Sequence, residues 1–269
     1  MTEPLGTLLV TGAAGTVAQQ VIPHLAASAR DLRLSDLVTP ARQPANADFI
    51  RCDLTDLTAF TQLMSGVDYV VHLAGIPIEA DFDTLLGPNV IAVHNLYEAA
   101  RANGCPRIVF ASSNHVVGFH DQATRLTPYS ARRPDSWYGV TKVFGEAVAQ
   151  FYFDKVGQES ALVRIGSVTP APTDYRMLST WMSARDFATL CSAAFNAPTL
   201  GCRVIFGASN NALSGWDNSA HADLGWHPQD SADEDEPRLR PSRPGPDHPS
   251  RRYQGGTFAA APIRRKDDP

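Results

Sequence analysis

The chain has 269 residues, 43% of them hydrophobic and 19% charged, and carries a net charge of −5 at neutral pH. That balance describes a globular chain with a full core and argues against a nucleic-acid surface, which needs clustered positive charge. No apolar run approaches the length of a membrane span, so no membrane contact is expected.

Met1-Thr2-Glu3-Pro4 leads directly into a strand-like run with no basic n-region or cleavage site, and a cytoplasmic protein is expected. Four cysteines, Cys52, Cys105, Cys191 and Cys202, are scattered without metal or redox spacing and read as buried, reduced thiols. Eight histidines form no H-x-x-x-H or H-E-x-x-H group, so no metal site is expected.

Leu8-Leu9-Val10 is a short continuous apolar run, the pattern of a parallel strand buried on both faces. It passes through Thr11-Gly12-Ala13-Ala14-Gly15 into a helical stripe of Val17, Val21, Ile22 and Leu25. Strand, glycine turn and helix in that order is the context of a dinucleotide-binding loop. Gly12 permits the tight turn, and Gly15 lets the backbone approach a pyrophosphate seated on the helix N-terminus. Ala18 keeps helix and strand close where a third glycine is often found. Gly12, Ala14, Gly15, Thr16 and Val17 are the candidate phosphate cradle; a glycine turn with no ligand is the plainer alternative.

A second strand, 32–36, ends in Asp36, where a carboxylate would bind the adenosine ribose hydroxyls and repel a 2′-phosphate. This favours NAD over NADP, although Arg33 and Arg42 nearby pull the other way. A third strand, 47–52, ends in Asp53-Leu54, beside the expected adenine edge, and a helix follows over 57–64. The fourth strand, 68–73, ends in Leu73-Ala74-Gly75, small enough to leave room for the cofactor. Apolar spacing predicts a helix over 89–103, and Pro106 then precedes a fifth strand over 107–111. A helix through Tyr138 and Tyr152, a sixth strand over 161–165, a helix over 185–196 and a strand over 202–206 complete the pattern. The alternation predicts an α/β fold, a Rossmann-type doubly wound parallel sheet in a single domain. Residues 1–165 would form the dinucleotide-binding core and 166–269 a small C-terminal substrate-binding region. Residues 230–252, with five prolines and Asp233-Glu234-Asp235-Glu236, read as partly extended or mobile.

Ligands bind such sheets at the C-terminal strand ends. The fifth strand ends there in Ser112-Ser113-Asn114-His115, and the next helix carries Tyr138 and Lys142 one turn apart on one face. A free phenol titrates near pH ~10, so a tyrosine base needs its anion stabilised, which a neighbouring lysine can supply in part. The Y-x-x-x-K spacing alone is common by chance. Ser113 on the preceding strand end is what makes it a candidate catalytic unit with Tyr138 and Lys142. The serines read equally as strand-end caps, and His115 as either a substrate contact or a satisfied loop histidine.

Taken together, Thr11-Gly12-x-x-Gly15, Asn89, Ser113 and Tyr138-x-x-x-Lys142 resemble the short-chain dehydrogenase/reductase superfamily. Leu224-Gly225-Trp226-x-Pro228 is similar to its extended, sugar-nucleotide-epimerase-like branch. Residues 108–115, 175–181 and 254–258 are similar to the bacterial uronate dehydrogenases, and the resemblance covers nearly the whole chain. It implies NAD-dependent oxidation of D-glucuronate and D-galacturonate at C1 to the aldarolactone, in a homo-oligomer acting on a small uronic acid. Tyr138 would be the base, Lys142 would hold the nicotinamide ribose and depress the tyrosine pKa, and Ser113 would bind the reacting hydroxyl. The resemblance also implies that Asn89, Ser112, Ile165 and Ser167 border the cofactor. On the same basis Ser113, Asn114, His115, Tyr138, Ser167 and Arg176 border the substrate, with Arg176 as the bidentate partner of the uronate carboxylate. Two stretches depart from the family's pattern. Pro77 stands where a substrate-binding serine follows the Gly-Ile pair, and 233–249 lacks the helix-like sequence usual before Gln254-Gly255-Gly256. A sugar-nucleotide epimerase or reductase using the same triad, and a non-catalytic NAD-binding regulator, are the competing readings. The short C-terminal region speaks against the first and the complete triad against the second.

Overall fold

The computed structural model describes residues 4–104 and 107–266; Met1 to Glu3, Cys105, Pro106 and Asp267 to Pro269 lie outside the described residues. Seven parallel strands form one sheet in the order β3-β2-β1-β4-β5-β6-β7. They are β1 (Leu5–Thr11), β2 (Ala29–Asp36), β3 (Ala47–Arg51), β4 (Tyr69–His72), β5 (Arg107–Ser113), β6 (Glu159–Ile165) and β7 (Cys202–Gly207). The order reverses between β1 and β4, which makes the crevice above those two strands the switch point where a dinucleotide binds. The uninterrupted apolar runs follow from burial on both faces: Leu8, Leu9 and Val10 are all fully buried.

Helices cover both faces. Those used here are α1 (Thr16–Ala26), α2 (Leu57–Leu63), α3 (Phe82–Leu85), α4 (Ala92–Asn103), α5 (Trp137–Val156), α6 (Met177–Thr180), α7 (Ala184–Asn196), α8 (Glu236–Leu239), α9 (Pro249–Arg252) and α10 (Thr257–Ala260). On one face the α1 stripe of Val21, Ile22 and Leu25 packs with Phe187, Leu190 and Cys191 of α7. On the other, Phe60 of α2, Leu96 and Tyr97 of α4 and Tyr152 of α5 enclose Ile108 and Phe110. Gly104 and Gly157 end α4 and α5 in the left-handed region, at φ 64° and 73°, where glycine carries no Cβ penalty.

Two segments differ from the sequence expectation. The helix expected to start at residue 89 is preceded by α3 and a π-helical turn over Leu86–Ile91. Pro88 cannot donate to the α-helical ladder, and the widened turn carries the buried Asn89 side chain toward β4. The stretch read as partly extended or mobile contains α8, α9 and two 3₁₀ turns over Asp233–Asp235 and Arg240–Ser242. Proline at the first positions of α8 costs no hydrogen bond there. Ala232 and Leu239 anchor the segment by packing against Leu178 and Trp181. Apolar anchors at both ends of the acidic run thus outweigh a composition that looks unstructured.

Candidate active site

The cofactor end is built by the β1–α1 turn. Gly12 has φ 69°, and a Cβ there would lie 2.6 Å from the Ala74 nitrogen, so both the turn and the close approach of the Leu73–Ala74 loop require glycine. Helix α1 then begins at Thr16 with no side-chain cap and no acidic residue in its first turn. An uncapped N-terminus beside a glycine turn fits a pyrophosphate, which would complete the orphaned donors and meet the positive end of the helix dipole. Asp36 braces the turn: its Oδ2 accepts from Ala14 N at 2.9 Å and its Oδ1 from Leu37 N at 2.6 Å. Its carboxylate therefore sits at the end of β2 above the glycine loop, with acceptor capacity left for ribose hydroxyls.

The other candidates around this crevice divide. Leu73, Ala74 and Gly75 form the β4 end, where Gly75 takes φ 134° and a Cβ would lie 3.0 Å from Asn89 Oδ1. Asn89 is taken up in bracing that loop, bonding the Ile76 N–H and carbonyl at 2.8 and 3.0 Å and Thr141 Oγ1 at 3.2 Å. Asp53 turns inward on Thr55 through both its N–H and hydroxyl, which hold its carboxyl below the usual range. Leu54 gives its carbonyl to Asn95 Nδ2 at 3.0 Å. Ser112 and Ser113 face opposite sides of the sheet, as successive strand residues must. Ser112 therefore donates to Glu146 at 2.8 Å in a buried network with Arg164, and Ser113 alone of the two turns to Tyr138. Ile165 and Ser167 leave β6 half-buried, with Ser167 N bonded to the Thr180 carbonyl at 2.9 Å.

Helix α5 delivers the reactive pair. Ser136 caps it by accepting from Gly139 N at 3.0 Å. Glu79, from the loop after β4, accepts from Trp137 N and Tyr138 N at 3.1 and 3.0 Å. Tyr138, Lys142 and Ser113 are all buried, and the Ser113 hydroxyl, which accepts from His115 N at 3.2 Å, is near enough to the Tyr138 phenol to favour its anion. The Lys142 ammonium lies over the rings of Phe110 and Tyr138, at 5.2 and 5.6 Å from their centroids. Burial pushes Tyr138 up to about 12, opposed by Ser113 and reinforced by the charge of Asp135. Burial likewise brings Lys142 down to about 8. In this cofactor-free structure burial dominates the phenol, and Lys142, whose own charge burial disfavours, is not among the groups that shift it.

At the substrate end, one carbonyl organises two side chains. Gln254 O accepts from Asn114 Nδ2 at 3.4 Å and from Arg176 Nε at 3.0 Å. Asn114 Oδ1 and Arg176 Nη2 remain buried without a partner. Gly256, at φ 61°, leaves the space that the Arg176 stem fills, since a Cβ would lie 2.8 Å from its Cδ. His115 is neither free nor simply a loop residue: its Nδ1 bonds Asp135 at 2.9 Å, and Phe258 stacks on its ring at 4.1 Å. Burial lowers its pKa, offset by Asp135. Pro77 is exposed on the loop between Ile76, pinned by Asn89, and Glu79, pinned to α5.

Glu79, Asp135, Gln254 and Phe258 escaped residue-by-residue reading. The Gln254-to-Phe258 stretch stood out only through family resemblance, and Glu79 and Asp135 carried no local signal. Among the described residues no group of three His, Cys, Asp or Glu side chains could hold a metal ion, and no helix is long and apolar enough to cross a membrane.

Residues 8–185 match the NAD dependent epimerase/dehydratase family. The chain is 50% identical over 258 residues to uronate dehydrogenase of Agrobacterium fabrum, covering 95% of this chain and 97% of that one. A crystal structure of uronate dehydrogenase from Agrobacterium tumefaciens superposes with a TM-score of 0.94 at 49% identity, over 97% of this chain and 99% of that one. A mutant of that enzyme complexed with NAD also superposes with a TM-score of 0.94, at 48% identity over 97% and 100% of the chains.

Proposed function

The chain belongs to the NAD dependent epimerase/dehydratase family and, within it, to the uronate dehydrogenases, and on that basis we propose that it oxidises D-glucuronate and D-galacturonate at C1 to the aldarolactone. The observation that carries the substrate class is Arg176, a half-buried side chain whose Nη2 is buried without a partner and which forms no ion pair among the described residues. A buried cation left unpaired is costly, and a uronate carboxylate would supply the missing charge and acceptors. A neutral aldose offers hydroxyl acceptors but no compensating charge.

The rest of the site assigns the remaining roles. Ser113 orients the C1 hydroxyl, and Tyr138 takes its proton as the base. NAD, when bound, supplies the hydride acceptor. Lys142 supports the phenolate from the same helix face, and Asn114 presents its free Oδ1 to a sugar hydroxyl. His115, set in one orientation by Asp135, forms the wall beside Tyr138. The same family reading supports a cytoplasmic homo-oligomer. Purified protein with NAD⁺ and glucuronate is expected to generate NADH absorbance, and UDP-glucuronate is not; the reverse outcome would overturn the assignment.

A further inference from the structure

Arg176 also forms part of the wall of a cavity of about 520 Å³ that Gln254 and Gly256 border but Ser113, His115 and Tyr138 do not. Arg243 and Arg251 line the same cavity. Arg243 lies over the Tyr175 ring at 5.0 Å, and Arg251 Nη1 donates to the Pro244 carbonyl at 3.4 Å. Among the described residues none of the three arginines forms an ion pair. Arg238 and Arg240 of the same segment, by contrast, pair with Asp235 and Glu236. Two carboxylates, Asp121 and Asp174, reach the cavity, but each is turned onto backbone N–H groups, of Ala123 and Met177. Three arginines stand against these two carboxylates, which leaves a net positive lining in a protein whose net charge is −5 and suits an anion.

We propose that this cavity is a second uronate subsite, and that the enzyme also oxidises the reducing end of 1→4-linked oligouronates. The inference rests on the uronate reading above. In such an oligomer the reducing residue has its free hemiacetal at C1, its carboxylate on C5 and its glycosidic oxygen on the adjacent C4. Placing C1 at Tyr138 and the carboxylate at Arg176 therefore directs C4 to the Arg176 side, where the cavity begins. The next residue enters it, and its carboxylate meets Arg243 and Arg251. Ligand pockets of about 300–1,000 Å³ hold drug-sized molecules, so the volume suits a further sugar ring. The step balances without another reactant. The C1–H bond breaks with its electron pair passing to NAD⁺, the hydroxyl proton leaves through Tyr138 to solvent, and C1=O forms. NAD⁺ is reduced, the hemiacetal is oxidised to the lactone, and the glycosidic bond stays intact.

The test compares galacturonate, its 1→4-linked disaccharide, and that disaccharide reduced to the alditol at its reducing end. NADH is expected from the first two and not the third. In a Tyr138→Phe variant, calorimetric titration should show the disaccharide binding more tightly than the monosaccharide. Arg243→Gln with Arg251→Gln should weaken disaccharide binding roughly tenfold more than monosaccharide binding, while Arg243→Lys with Arg251→Lys, which keeps the charge, retains most of the preference. Activity on galacturonate with none on the disaccharide would refute this proposal alone. Equal losses for the two sugars in the glutamine variant would refute it as well. Inactivity on galacturonate would refute the uronate reading beneath it.

Discussion

The carboxylate of Glu79 accepts the backbone N–H of Tyr138 itself, at 3.0 Å. With the Trp137 N–H at 3.1 Å, it satisfies two of the orphaned donors at the start of α5 and places a negative charge at the positive end of that helix. Ser136 caps the same turn through Gly139, so the reactive tyrosine sits in a helix end fixed from two directions. Glu79 is therefore a positioning residue that ties the β4 loop, which borders the cofactor crevice, to the catalytic helix.

Glu79→Ala is expected to lower stability by about 1 kcal/mol, the scale of a lost helix cap, and to lower kcat more than it raises KM, because it moves the base rather than a binding group. Glu79→Gln keeps an acceptor and should recover part of the rate. Thermal melting and steady-state kinetics read both effects. An unchanged kcat in the alanine variant would reduce Glu79 to a structural cap.

Tyr138→Phe removes the base but leaves the glycine turn and the α1 N-terminus untouched. Turnover should fall by at least about 10²–10⁴-fold, the usual contribution of a positioned base. NAD binding, followed by fluorescence titration, should persist. A variant that still turns over would remove Tyr138 from its role. Because burial pushes the wild-type phenol up to about 12, activity should also climb on the alkaline side of neutrality rather than peak below it.

Arg176 divides its guanidinium: Nε holds the Gln254 carbonyl while Nη2 is left for a ligand. Arg176→Lys replaces the rigid fork by one compact ammonium, which cannot reach both positions in the geometry that Nε and Nη2 hold. KM for uronates should rise by roughly tenfold or more, with a smaller change in kcat. An unchanged KM would make Arg176 a structural residue that only positions Gln254.

The parts legible in the sequence are those whose signal is local. Continuous apolar runs marked the strands, and the Gly12–Gly15 turn between β1 and α1 marked the cofactor end because its geometry needs glycine. The four-residue spacing put Tyr138 and Lys142 on one helix face, and both are buried beside Ser113. What local reading missed is tertiary. Glu79 reaches α5 across 59 residues, and Gln254 meets Asn114 across 140, so no spacing rule points to either. Arg176 entered only through family resemblance, since nothing around it in sequence announces the carbonyl it holds. The π-helical turn at 86–91 was hidden because its apolar spacing looks like an ordinary helix start.

Lys142 connects the site to the pH dependence of stability. Burial lowers it from 10.5 to about 8 in the folded, cofactor-free chain. Below about pH 8 both folded and unfolded states hold the proton, and the full cost of a buried cation is present, on the order of 3 kcal/mol. Between about 8 and 10.5 the unfolded chain holds a proton that the folded chain has lost, so this residue's contribution to stability rises with pH. Tyr138 acts oppositely, since a phenol raised to about 12 stays protonated when folded and its contribution falls as pH rises past 10. Lys142→Met keeps the stem that packs toward Phe110 and removes the charge. The cofactor-free variant should therefore melt above the wild type at pH 7, and the gap should narrow as pH approaches 9.5, below the tyrosine window. Thermal unfolding at several pH values reads the difference directly, and a gap that stays constant would mean that Lys142 is not held down by burial.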